Sequence, residues 1–247
     1  MANDRLSIER IITRLDEYLS KNDIEGAKRH LHYWLDEALL AKNGRVELLL
    51  RNELMGIYRK SSNSALALEN ARLAMAKIEE MQIENQVGSA TTYLNVATVY
   101  KSFGMAGEAL PVFEKAKAIY ESSLEKSDTR LAGLYNNMAL ALVDVGRFSD
   151  AYELYDKALE ITEGSLENAI THLNIASATE AELGLEMADN QIQQRLEMAR
   201  TILENYEKRD GYYAFVCEKC ASVFGYYGHF LYEQELTERA RRIYERN

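Results

Sequence analysis

Residues 93–121 and 135–163 carry one pattern twice, set 42 positions apart. Each copy opens on an aromatic, Tyr93 or Tyr135, and places a small residue four positions on, Ala97 or Ala139. A glycine follows seven positions later, Gly104 or Gly146. Each then closes on an Ala-x-x-x-aromatic-x-x-Ala run, with Ala109, Phe113 and Ala116 in the first copy and Ala151, Tyr155 and Ala158 in the second. Self-similarity at this period is the signature of a solenoid, in which one supersecondary unit is stacked on the next. Spacings of three and four put the alanines and aromatics on one stripe of a helix. Small residues let two backbones approach closely, and the aromatics fill space toward the neighbouring unit. The glycines fall where one helix ends and the chain turns, a place where a left-handed conformation carries no Cβ penalty. Asp144 and Ser149 beside the second glycine suggest local polar capping.

This pattern resembles the tetratricopeptide repeat, an aromatic-led first helix, a glycine turn and an A-x3-F-x2-A second helix. The matching positions are Tyr93, Val96, Ala97, Tyr100, Gly104, Ala109, Phe113 and Ala116, then Tyr135, Met138, Ala139, Leu142, Gly146, Phe148, Ala151, Tyr155 and Ala158. The spacing exceeds the usual 34 residues and is similar to the long repeats of kinesin light chain and some bacterial regulators, as are Pro111 and the asparagines Asn95 and Asn137. Anchors at Tyr18, Tyr58, Tyr100, Leu142, Thr179 and Phe224 step by 40, 42, 42, 37 and 45. They extend the resemblance, with decreasing quality, over nearly the whole chain. The expected fold is therefore all-α, and the resemblance implies a right-handed superhelical α-solenoid of about six antiparallel helix pairs, 12 helices in a single domain over 1–247. The expected units are 7–42, 47–82, 89–124, 131–164, 168–205 and 211–246. The fifth unit departs from the pattern at EAELGLEMADNQ, where its second helix is displaced or lengthened. In the sixth, Cys217, Cys220, Ala221, Phe224, Gly228, Phe230 and Ala240 take the anchor places. The aromatic run YYAFVCEKCASVFGYYGHF reads as a helix, because Tyr213, Val216, Cys220 and Phe224 follow a helical step.

In the family the first helix of each pair lines a concave groove. Asn95, Asn137 and Asn174 lie two residues beyond the aromatic anchors Tyr93, Tyr135 and His172. The resemblance implies that an asparagine here holds a ligand backbone, since an amide both donates and accepts. Hydrogen bonding between adjacent helices inside the stack is the alternative. The same register offers Asn52, Arg59, Lys60, Lys101, Asn136, Asp144 and Glu180, together with Thr98, Leu140 and Ser177. Arg59, Lys60 and Lys101 would make a basic end and Asp144 and Glu180 an acidic one, a polarity suited to an extended peptide.

Chemistry is poorly supported. Cys217 and Cys220 form a lone CxxC with no second pair to complete a zinc site and no βαβ setting for redox work. His30 and His32 point to different faces of a helix. No nucleotide-binding or hydrolase motif is present. The expected function is a non-enzymatic protein- or peptide-binding scaffold with no catalytic residues, metal or cofactor. Two other readings stay open, a peptide-sensing regulatory receptor acting through protein contacts and a structural module that self-associates, for instance as a homodimer. The net charge of −10 weighs against nucleic acid and anionic membranes. No stretch approaches the roughly 18 to 20 apolar residues of a membrane span, and MANDRLSIER has no secretory apolar region, so the expected location is cytoplasmic.

Overall fold

A computed structural model describes residues 6–21 and 23–246. Its described residues form 12 α-helices and no strand. Backbone contacts divide the chain into two compact units, Met1–Ser123 and Leu124–Asn247. The first contains α1 (Ile8–Ser20), α2 (Ile24–Leu40), α3 (Gly44–Lys60), α4 (Ser64–Met81), α5 (Val87–Ser102) and α6 (Ala106–Ser123). The second contains α7 (Thr129–Asp144), α8 (Phe148–Ile161), α9 (Leu166–Leu183), α10 (Leu185–Asn205), α11 (Gly211–Tyr226) and α12 (Phe230–Tyr244). Each odd-numbered helix packs against the even-numbered helix that follows it, and successive pairs within a unit stack. The fold is the all-α helix-pair solenoid that the repeat implies.

The turns explain the pairing. Gly104, Gly146 and Gly228 have φ of +78°, +75° and +85°. Beyond each, an amide reaches back to the last turn of the preceding helix: Met105 N to Tyr100 O at 3.0 Å, Arg147 N to Leu142 O at 2.9 Å and His229 N to Phe224 O at 2.9 Å. This is a Schellman closure, which satisfies orphan carbonyls and reverses the chain. The same closure occurs without glycine in the first unit, where Lys42 and Ser62 stand at φ +52° and +54°. There Asn43 N bonds Ala38 O and Asn63 N bonds Tyr58 O, both at 2.9 Å. Asn43 and Asn63 then cap α3 and α4 with their side chains. The position that caps α8 is neither Asp144 nor Ser149, the residues expected to cap there. The residue before α8 is Arg147, which makes no side-chain cap bond and instead pairs with Asp150.

Ala97, Ala109, Ala116, Ala139, Ala151 and Ala158 are fully buried, with Phe113 and Tyr155 between them and Tyr93 and Tyr135 almost so. Tyr100 is half-buried. The hydroxyl of Tyr155 is buried with no hydrogen-bond partner. A buried, unsatisfied hydroxyl costs roughly 1–3 kcal/mol, so Tyr155→Phe should raise the unfolding free energy by about 1 kcal/mol. Denaturant titration of the two proteins checks this, and a loss of stability would show that the hydroxyl has an unseen partner.

In the first unit a charge cluster lies inside the stack. Arg51 bonds Glu47 through Nε and Nη2, each at 2.9 Å, and Lys77 Nζ reaches the other Glu47 oxygen at 3.0 Å. Arg51 Nη1 also donates to Asn70 Oδ1 at 3.4 Å. In the second unit α9–α12 share one core, in which Tyr213, Cys217, Cys220 and Phe224 of α11 are fully buried. Both thiols are free, and burial raises the pKa of each, that of Cys220 to about 12. Phe230, read from the sequence as an anchor of this core, is exposed at the start of α12, and Tyr232, Leu236, Ala240 and Ile243 fill the core instead.

Candidate functional site

The first helices carry the polar residues singled out above, and hydrogen bonds join some of them in a way the repeat register does not show. In the first unit Asn52 of α3 donates from Nδ2 to Leu48 O at 2.8 Å and to Thr92 Oγ1 of α5 at 3.0 Å. Its Oδ1 accepts from Asn95 Nδ2 at 2.9 Å. In the second unit Asn136 of α7 donates to Ala132 O at 3.2 Å and to Thr171 Oγ1 of α9 at 2.9 Å, and its Oδ1 accepts from Asn174 Nδ2 at 3.1 Å. The same Asn–Thr–Asn bridge therefore pins two pairs of adjacent first helices.

Asn137 takes no part in this bridge. Its Nδ2 donates to Gly133 O of its own helix at 2.7 Å. The three asparagines expected to form a ladder thus divide. Asn95 and Asn174 are tied laterally to Asn52 and Asn136, whereas Asn137 keeps its amide on α7. Thr92 and Thr171 went unrecognised in the sequence. Their signal is Thr-x-x-Asn, present at 92–95 and 171–174, each preceded by an asparagine one helix pair earlier.

Within the second unit α7, α9 and α11 line a groove of about 460 Å³. Asn136, Asn137 and Asn174 lie on its wall beside Leu140, Ile170, Tyr212, Phe215, Glu167 and Lys219. Tyr212 and Phe215 stack with ring centroids 6.2 Å apart, and Lys219 Nζ lies 4.7 Å from the Phe215 ring centre. Tyr212 donates its hydroxyl to the Glu167 carboxylate. Burial disfavours that carboxylate, but hydrogen bonds from Tyr212 and Ser165 outweigh it and hold its pKa below the usual value. Glu167 is thus an anion held by neutral donors, and Lys219 supplies a cation from the next first helix. The groove combines an apolar floor, amides and one charge of each sign, which is recognition chemistry.

The remaining predicted residues are spread over both units. Arg59 and Lys60 form the last turn of α3 and Lys101 the last turn of α5, all in the first unit. Asp144 ends α7, exposed. Glu180 of α9 accepts from the hydroxyls of Tyr226 at 2.7 Å and Tyr227 at 2.8 Å. His172 is half-buried and takes a hydrogen bond from Arg195 at 3.3 Å. Burial, with Arg195 nearby, lowers its pKa to about 4. Among the described residues no cluster of three or more His, Cys, Asp or Glu could hold a metal ion, and no helix is long and apolar enough to cross a membrane.

Comparison with known proteins agrees with this architecture. Residues 131–168 match the tetratricopeptide repeat family model. That segment, α7 and α8 with the start of α9, is a tetratricopeptide-type repeat within a chain whose described residues form helix pairs throughout. Among solved structures the chain is similar to BtubC (BKLC) from P. vanneervenii, at a TM-score of 0.67 and 18% identity over 81% of this chain and 82% of that one. It is similar to a kinesin light chain with nearly identical TPR-like repeats from Podosopora anserina, at a TM-score of 0.53 and 18% identity over 79% and 94% of the two chains. A Rap protein in complex with Competence and Sporulation Factor gives a TM-score of 0.58 at 16% identity, with 94% of this chain spanning 62% of that one. Comparison with curated protein sequences yields no match.

Proposed function

We propose that this chain is a non-enzymatic scaffold that binds a protein or peptide segment along its first helices, in the α7–α9–α11 groove. The observation that carries the reading is the groove's lining: amides on two helices, a stacked aromatic pair on the third and opposite charges at Glu167 and Lys219. Asn174 gives its N–H to Asn136, so its carbonyl oxygen is the part suited to accept from a ligand backbone amide. Asn137 offers its own carbonyl oxygen in the same way. The similar fold of a Rap protein complexed with Competence and Sporulation Factor supports a ligand-holding role for such a stack. Asn52, Asn95, Arg59, Lys60 and Lys101 are the matching candidates in the first unit, and Asp144 and Glu180 complete the set in the second. Two free buried thiols suit a reducing, cytoplasmic setting.

The test is selection of extended peptides from a displayed library against the full chain. Phe215→Ala should weaken a selected peptide about tenfold or more, the loss typical of an aromatic anchor. Asn137→Ala should weaken it less, by roughly the worth of one hydrogen bond. If neither variant changes the measured Kd, the groove is not the binding site. If no peptide is selected and the mass in solution is that of a dimer, self-association becomes the better reading.

A further inference from the structure

The α9–α10 turn departs from every other turn between paired helices. One residue, Gly184 at φ +80° and ψ +154°, both ends α9 and precedes α10. Helix α10 runs for 21 residues, whereas its counterpart α8 has 14. All residues from 181 to 187 are exposed. Three of these are large and apolar: Leu183, Leu185 at 53% exposure and Met187 at 80%. Neighbouring apolar surface comes from the next turn of the stack. The hydroxyls of Tyr226 and Tyr227 both bond Glu180, which sets the α11–α12 turn beside the last turn of α9. That turn exposes Tyr226, Phe230 and Leu231, the last at 84%.

Around the α9–α10 turn this surface is acidic, whereas Phe230 and Leu231 share a cavity with charges of both signs, Arg200, Arg239, Glu204 and Glu235. Residues 158–194 contain seven acids and no Lys or Arg, and Glu182, Glu186 and Asp189 flank the exposed leucines and methionine. Large exposed apolar patches mark interaction sites, and methionine adapts to varied partners. Charge then selects the occupant. A second copy of this chain, at −10, would bring more negative charge to an acidic face, and an anionic lipid surface would do the same. A segment that carries leucine-like anchors between Lys and Arg would satisfy both properties. We infer that the α9–α10 turn and the adjoining α11–α12 turn form a second docking surface, for a basic amphipathic helix of a partner protein. This surface is independent of the α7–α9–α11 groove, because its apolar residues lie on the turns and not among those lining the groove.

The test uses the full chain and a helical peptide of about 18 residues with Leu on one face and Lys on the other. Two controls accompany it, a scramble of the same composition and a version with Glu in place of Lys. The Leu/Lys peptide should shift backbone amide resonances at 181–187 and 226–231, and neither control should match it. Met187→Ser and Leu185→Ser change only exposed side chains, and each should weaken binding about tenfold with helicity unchanged. Glu186→Lys should weaken it as well, and about 0.5 M sodium chloride should reduce affinity without abolishing it. Equal binding of the scramble, or no effect of Met187→Ser, would overturn the proposal and reduce the contact to general attraction between opposite charges. Shifts confined to the Asn137 and Phe215 region would overturn it too, and would assign the peptide to the groove. A dimer of the free protein that Met187→Ser dissociates would overturn it in favour of a second copy.

Discussion

Glu47→Gln should lower the unfolding free energy by about 3–5 kcal/mol, the typical cost of breaking a buried ion pair from one side. The carboxylate and the guanidinium it holds are both almost wholly buried, with Glu47 and Arg51 side chains at 7% and 8% exposure. Lys77 reaches the same carboxylate from α4. A neutral amide there leaves two cations facing one another, with Asn70 and Glu80 as their further partners among the described residues. The penalty is a desolvated charge without compensation, which is larger than the worth of the pair itself. The cluster as a whole need not stabilise the fold. Replacing its three members together, Glu47→Leu with Arg51→Met and Lys77→Met, should therefore recover most of the loss. Thermal and denaturant unfolding of the single and triple variants checks both statements. A Glu47→Gln protein within about 0.5 kcal/mol of the parent, the range of an ordinary surface substitution, would show that water reaches Arg51.

The helix pairs could be read in advance because their causes are local. Ala97, Gly104, Ala109, Phe113 and Ala116 each follow from a helical stripe or a left-handed turn, and both leave their mark at fixed spacing. The turns at Lys42 and Ser62 were hidden, since neither residue advertises a positive φ. The asparagines were legible as polar residues on first helices but not as bridges. A lateral bond depends on which residue the next first helix sets opposite, and the second helix in between separates the partners in sequence. Asn52, Leu94 and Asn136 occupy one register position at successive 42-residue offsets, yet only the two asparagines build the bridge. Phe230 was misplaced for a related reason. The chain after Gly228 resembles the one after Gly146, but α12 turns Tyr232 into the core and leaves Phe230 outside. A repeat profile compares positions along the chain, whereas burial depends on how each helix is turned against its neighbours.

The packing of this pair carries the strongest local prediction, one about α11 and α12. Phe224→Ala should destabilise the second unit by about 3–5 kcal/mol, the usual cost of emptying a buried phenylalanine site. Phe224 is fully buried, meets Tyr232 edge-on with ring centroids 4.7 Å apart, and lies 5.8 Å from the Arg200 guanidinium. Arg200 also stacks 4.6 Å from the Tyr232 ring centre and donates to His229 at 3.1 Å. Removing the ring therefore empties space at the joint of three helices, α10, α11 and α12. In a stack held by nearest-neighbour contacts the loss should stay near its source. Amide exchange should accelerate most in α11 and α12, less in α9 and α10, and least in α7 and α8. Acceleration by one common factor from α7 to α12 would mean that these three helix pairs unfold as one cooperative body, and nearest-neighbour stacking would not describe how this unit holds together.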